Sequence, residues 1–220
     1  MATITISRQF GSHGDTVAQL LCDRLGYKYF DRKLMQGLAA QSGLPPEKVV
    51  DLSDDRHRAR SLVERLFSNY PAPMGDPGTW VVAAEFEAQE QQNAAMFKHL
   101  IRAAHAHGSV VIIGRGGQVV LAGLPGVLHV RLVAPLDLRI QRHQERAGLT
   151  AAAAREQVLK FDQASVDFVK RYYNANPADP ELYDLIINTA KLTPSAAADL
   201  IIQALVYLPA EGELDSPKAT

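Results

Sequence analysis

Apolar and polar positions follow two different rhythms along this chain, and the switches between them mark out its elements. "ATITIS" near the start sets β-branched residues against small polar ones with period two, which predicts a first strand. From Gly14 to Leu25 the rhythm becomes helical: Val17, Leu20, Leu21 and Leu25 recur at helical spacing, and Gly26 supplies a stop. "YKYF" predicts a short second strand, followed by a helix over about 32–41. "SGLPPEKVVDLSDD" breaks the pattern, a charged helical stretch runs from Arg56 to Phe67, and "NYPAPMGDPG" over 69–78 predicts a loop. A long helix is expected over 79–107. "SVVIIG", 109–114, is an unbroken apolar run, as in a parallel strand buried on both faces. "GVLHVRLVA" and "YDLIINT" predict two more strands, with helices over about 136–147 and 151–173 between them, and "SAAADLIIQALVYL" predicts a closing helix.

Strands separated by helices imply an α/β fold with a parallel sheet. Ligands of such sheets sit at the carboxyl ends of the strands. Three segments lie just past predicted strand ends: "SRQFGSHGD", "GRGGQ" and "NTAKLT". The 220 residues suit a single domain over 1–208 with helical insertions, and the polar tail 209–220 is expected to be disordered. A formal net charge of -1 offers no basic field for nucleic acid, so any anion site must be built locally. No apolar run approaches the ~20 residues that span a bilayer, and no secretory layout opens the chain. With one cysteine, Cys22, on the packed face of a helix and read as core filler, the expectation is a cytoplasmic protein without membrane or nucleic-acid partners. His105 and His107 fall on different faces of a helix, and no Cys/His cluster or EF-hand spacing suggests a zinc or calcium site.

The first of the three segments has the layout of a phosphate-binding loop: strand, glycine-bearing turn, helix N-terminus. It does not match G-x-x-x-x-G-K-[ST]. Arg8 stands at the first glycine, His13 at the second and Gly14 at the lysine. Two readings are open. The backbone N–H groups converge on a phosphate, or the segment is a plain turn in which Ser12 and Asp15 form an [ST]-x-x-[DE] capping box. Arg115 follows a buried strand and is flanked by Gly114, Gly116 and Gly117. A charge there is expensive without an anionic partner, so Arg115 either faces a ligand or sits in a structural ion pair.

"ISRQFGSHGDTVAQLLCDRLGYKYFDRKL", "VVIIGRGG" and "YDLIINT" together resemble the cytidylate kinase-like family, a branch of the nucleoside monophosphate kinases, over roughly 3–205 with a weak middle at 42–85. The resemblance implies a three-layer P-loop NTPase-like fold, with an acceptor-binding helical insertion over about 31–105 and lid helices over about 139–175. It also implies Mg²⁺ with ATP as cofactor and a nucleoside monophosphate, CMP or dCMP, as partner. A monophosphate is already an oxyanion near neutral pH, so the site needs cations and positioning rather than a base.

Arg8 is the candidate for the missing cation, through bidentate guanidinium contact. Gly11, Ser12, His13, Gly14, Asp15 and Thr16 would hold the nucleotide phosphates, with Thr16 near the Mg²⁺. Asp31 and Arg32 would join Arg115 at the acceptor site, although Asp31 equally suits a helix cap. In the lid, Arg142 and Arg146 stand four apart on one helix face and join Arg171 as catalytic cations, with Lys160 beside them. Asp162 and Arg171 are carried over from the family's lid pattern, and Gly148 is a candidate hinge. The competing readings are a kinase of another small acceptor and a nucleotide-binding sensor without turnover. Oligomeric state is open, with a homodimer through the helix at 79–107 among the options.

Overall fold

The computed structural model describes residues 2–43 and 94–209. The expected helix at Arg56–Phe67, the loop at 69–78, the first part of the helix at 79–107 and all but the first residue of the tail lie outside the described residues. In chain order the elements are β1 (Thr3–Arg8), α1 (Gly14–Leu25), β2 (Lys28–Tyr29), α2 (Arg32–Gln41) and α3 (described over 94–106). There follow β3 (Val110–Ile113), α4 (Gly117–Val120), β4 (Val127–Val133), α5 (Leu136–Ala147), α6 (Ala151–Tyr173), β5 (Leu185–Asn188) and α7 (Pro194–Val206).

Two compact units can be separated, residues 31–100 and the remainder. In the first, the Leu34 N–H donates to Asp31 Oδ1 at 2.8 Å, so Asp31 caps α2. Met35, Leu38, Ala39, Phe97 and Leu100 are buried there.

The larger unit holds a five-stranded parallel sheet in the order β2-β3-β1-β4-β5. β1 is central, paired with β3 from Thr3↔Val110 to Ile6↔Ile113 and with β4 from Thr3↔Val127 to Arg8↔Leu132. Its two faces differ. Ile4 and Ile6 join Val111, Ile113, Val130, Leu132 and Ile187 in a core covered by Val17, Ala18, Leu21 and Cys22 of α1 and Ala197, Ala198 and Ile201 of α7. Each such large side chain contributes about 1.5–3 kcal/mol when fully buried. Burial, and then Asp23, push the Cys22 thiol up to about 11, so it stays protonated and acts as packing.

The opposite face of β1 is polar and every position on it is matched. Thr3 Oγ1 lies 3.0 Å from His105 Nδ1, and Thr5 Oγ1 lies 2.7 Å from His129 Nδ1. Arg131 Nη1 donates to Ser7 Oγ at 3.2 Å, to Tyr183 Oη at 3.1 Å and to the Pro177 carbonyl. Buried hydroxyls without such partners would each cost about 1–3 kcal/mol.

Candidate functional site

β1 runs out at the carboxyl edge of the sheet into residues 9–13. Gln9 pins the turn: its N–H donates to Leu132 O at 3.0 Å, and its Oε1 accepts from Ala134 N at 3.1 Å. The Ser12 hydroxyl donates back to Gln9 O at 2.7 Å and lies 3.2 Å from Leu132 O, with no exposed surface. The capping box therefore does not form. A buried hydroxyl takes the nearest carbonyls, and the N-cap position falls to His13, left-handed at φ 64° and without a side-chain cap. Ser12 is turned toward the strand and not toward a ligand. Asp15 does not cap either; its side chain is 70% exposed and 3.8 Å from Arg8 Nε. The first N–H groups of α1 thus have neither an intrahelical partner nor a side-chain cap, at the positive end of the helix dipole.

Arg8 explains the glycine in the lysine position. A Cβ on Gly14 would lie 2.6 Å from Arg8 Cγ and 2.8 Å from Arg8 Cβ, so the arginine stem fills the space a side chain at 14 would need. Its far end reaches the next strand: a Cβ on Gly114 would lie 2.7 Å from Arg8 Nη1. Relative to the lysine-bearing pattern, cation and glycine have exchanged places.

The second strand-end segment is a left-handed turn, with φ 67°, 60° and 73° at Gly114, Arg115 and Gly116. For Arg115 that backbone costs about 1–2 kcal/mol, a strain of the sort stored where a side chain is being presented. The Tyr173 hydroxyl holds the turn, donating to Arg115 O at 2.8 Å, and the Arg115 guanidinium lies 5.9 Å from the Phe30 ring centre.

Helices α5 and α6 grip the first loop. Arg142 donates to Gly11 O at 3.3 Å, to Thr189 Oγ1 at 3.2 Å and to Thr189 O at 2.7 Å, joining the first and third strand-end segments. The Arg146 guanidinium lies 5.8 Å from the Phe10 ring centre. Arg139 is buried, with Nε donating to Ala134 O at 2.9 Å and Nη1 to Phe10 O at 3.0 Å and Asp162 Oδ2 at 2.6 Å. Asp162 Oδ1 accepts from Phe10 N at 2.8 Å. The Phe10 ring stacks on Phe161 with centroids 4.5 Å apart and meets His143 edge-on at 4.9 Å.

The structure thus gathers Arg8, Gly11, Ser12, His13, Gly14, Asp15, Arg142, Arg146 and Asp162 around one loop, with Thr16 exposed on the first turn of α1. Arg115 stands at the end of β3, while Asp31 and Arg32 open α2 in the other unit. Lys160 is half-buried and Arg171 exposed, in the middle and last turn of α6. Sequence reasoning missed Phe10, Thr189 and Tyr173. An aromatic in an otherwise polar turn was the available signal for Phe10. Among the described residues no three His, Cys, Asp or Glu side chains come together to hold a metal.

Burial, then Arg142 and Arg146, push His13 below the usual histidine range, which reports a positive potential at the loop. A bound phosphate oxyanion opposes two of those causes. The His13 pKa is therefore expected to rise when ATP or inorganic phosphate is added, so that binding takes up a proton. Titrating the His13 ring by NMR with and without phosphate checks this; an unmoved pKa would place the anion elsewhere.

The central strand feeding a glycine-turned loop and helix N-terminus, within a parallel sheet ordered 2-3-1-4-5 and with arginine-bearing helices alongside, makes this an α/β protein with a P-loop NTPase-like fold. Within that class the chain belongs to the cytidylate kinase-like family, matched over residues 3–191. It is 27% identical to the cytidylate kinase of Sulfolobus acidocaldarius over 200 residues, covering 90% of this chain and 91% of that protein. A stretch of 93 residues, 42% of the chain, is 38% identical to part of the uronate isomerase of Corynebacterium glutamicum and spans only 18% of it. The crystal structure of an uncharacterized protein from Eubacterium ventriosum shares the fold with a TM-score of 0.65 at 20% identity, covering 94% of this chain and 99% of that one. No described helix is long and apolar enough to cross a membrane.

Proposed function

We propose that this protein transfers the terminal phosphoryl group of Mg²⁺-ATP to a nucleoside monophosphate, with CMP or dCMP as the acceptor. One observation carries the reading: Arg8, Arg142 and Arg146 surround a loop whose helix N-terminus is itself positive. Phosphoryl transfer between two anionic partners needs that arrangement, since repulsion must be offset and charge on the migrating group stabilised. The loop over Gly11–Thr16 takes the ATP phosphates. Arg8, lying between this loop and Gly114, supplies the charge that a lysine gives elsewhere. Arg115 serves the acceptor, and Arg171 and Lys160 add positive charge along α6. Asp15 and Thr16, both exposed on the first turn of α1, are oxygen donors suited to Mg²⁺, which prefers one or two protein oxygens plus substrate phosphates. Held there, the ion would supply positive charge to offset that of the phosphates. The names of the full-length archaeal relatives support the choice of acceptor.

A coupled assay with Mg²⁺-ATP and a panel of nucleoside monophosphates tests the reading. Transfer is expected to be fastest to CMP or dCMP. ATP binding without transfer to any acceptor would instead favour a sensor without turnover, the reading to which the glycine at position 14 lends support. Transfer to a different small phosphorylated compound alone would keep the chemistry and replace the acceptor.

A further inference from the structure

We propose that Arg139 and Asp162 are positioning residues that set the conformation of the nucleotide loop by clamping Phe10, and that α5 and α6 brace this loop rather than swing over it. The proposal rests on the reading of residues 11–16 as the ATP phosphate site. Both hydrogen-bonding groups of one loop residue are taken: the Phe10 N–H goes to Asp162 and its carbonyl accepts from Arg139. The circuit closes through Arg139 Nη1 and Asp162 Oδ2, and Arg139 Nε anchors it to Ala134 O at the end of β4. Phe10 packs against the small core of the two helices, the cluster of Ile140, Ala154 and Val158.

The next residue is gripped as well. A Cβ on Gly11 would lie 3.0 Å from both the Cβ and the carbonyl oxygen of Arg139, and the Gly11 carbonyl accepts from Arg142. Loop backbone and α5 backbone thus touch at a point only glycine permits. The arrangement makes two assignments. The Phe10 amide is committed to a carboxylate and the Ser12 amide donates to Gln9 O at 3.2 Å, so the amides open to phosphate are those of Gly11 and of the residues from His13 on. Asp162 acts on the ATP side through the loop and is not an acceptor ligand. Eleven residues further along α6, about 16 Å by helical rise, Tyr173 holds Arg115 O, so the same helix fixes a second strand-end loop. A lid turning about Gly148 would have to break these contacts.

Two measurements test this. In the unmodified protein, the Phe10 amide is expected to exchange slowly with solvent before any nucleotide is added and to change little with ATP. Rapid exchange that slows on ATP addition would mean a mobile lid and overturn the clamp. The Asp162→Asn and Phe10→Leu variants, with their fold checked by circular dichroism, are expected to weaken ATP binding about tenfold while leaving the KM for the monophosphate within about twofold. The reverse pattern, a raised acceptor KM with ATP affinity intact, would make Asp162 a ligand and sink the assignment. If ATP fails to bind the unmodified protein, the functional reading falls, while amide exchange still decides the clamp.

Discussion

Alanine in place of Arg8 is expected to lower kcat/KM for phosphoryl transfer by about 10²–10³, the loss found when one preorganised charge-stabilising donor is removed from a site. The expectation rests on placement. The stem of Arg8 lies over Gly14 and its guanidinium ends at Gly114, so the charge sits between the first loop and the turn that carries Arg115. No lysine on the loop can take over. The structure also says how the loss should be repaired. Gly14→Lys alone forces a side chain into the space of the arginine stem and should not help. Arg8→Gly combined with Gly14→Lys clears that space and restores an ammonium, and should recover part of the lost rate. Steady-state kinetics of the three variants decide the matter. Unchanged kinetics in Arg8→Ala would remove Arg8 as the compensating cation.

Gly116→Ala is expected to be strongly destabilising. Its Cβ would lie 2.1 Å from Tyr173 Cε2, well inside contact distance, in a residue already at φ 73°. Left-handed strain of about 1–2 kcal/mol adds to an overpacking cost of about 1–3 kcal/mol. A total near 3 kcal/mol corresponds to a fall in Tm of roughly 6–12 °C for a chain of this size. Thermal denaturation of Gly116→Ala checks the loss. Adding Tyr173→Ala should relieve the overlap and recover part of it, although the hydrogen bond to Arg115 O goes with the ring. A Gly116→Ala protein as stable as the parent would mean that Tyr173 does not pack on this turn.

The long periodic segments were the legible ones. Repeated helical spacing fixed α5 at Leu136–Ala147 and α6 at Ala151–Tyr173 within the expected limits, and glycine and asparagine in left-handed conformations end them. The "VVII" run gave β3 without telling its neighbours, since an unbroken apolar strand has no preferred face. The nature of the first loop was half legible. Its strand, glycine turn and helix could be read, but the capping box could not be told from a buried serine because both satisfy the same four-residue pattern. The clamp was not legible at all. Phe10, Arg139 and Asp162 are brought together across as many as 152 residues, and a buried arginine on a charged helix looks in sequence like its solvated neighbours. Asp162 was singled out for its place in the lid and proved to be a partner of the loop.

The two-faced character of β1 has a consequence for how the chain finds its alignment. Strands as uniformly apolar as β3 can slide, because every shift buries much the same surface. β1 cannot. A slip of one residue would turn Thr3, Thr5 and Ser7 into hydrocarbon and leave His105, His129 and Arg131 facing isoleucines. The same slip would displace Arg8 by about 3.3 Å and point it through the sheet to the wrong side. The hydroxyl–imidazole and hydroxyl–guanidinium matches therefore index the central strand, and the cation at its end arrives opposite Gly114 because the strand behind it has only one way to dock.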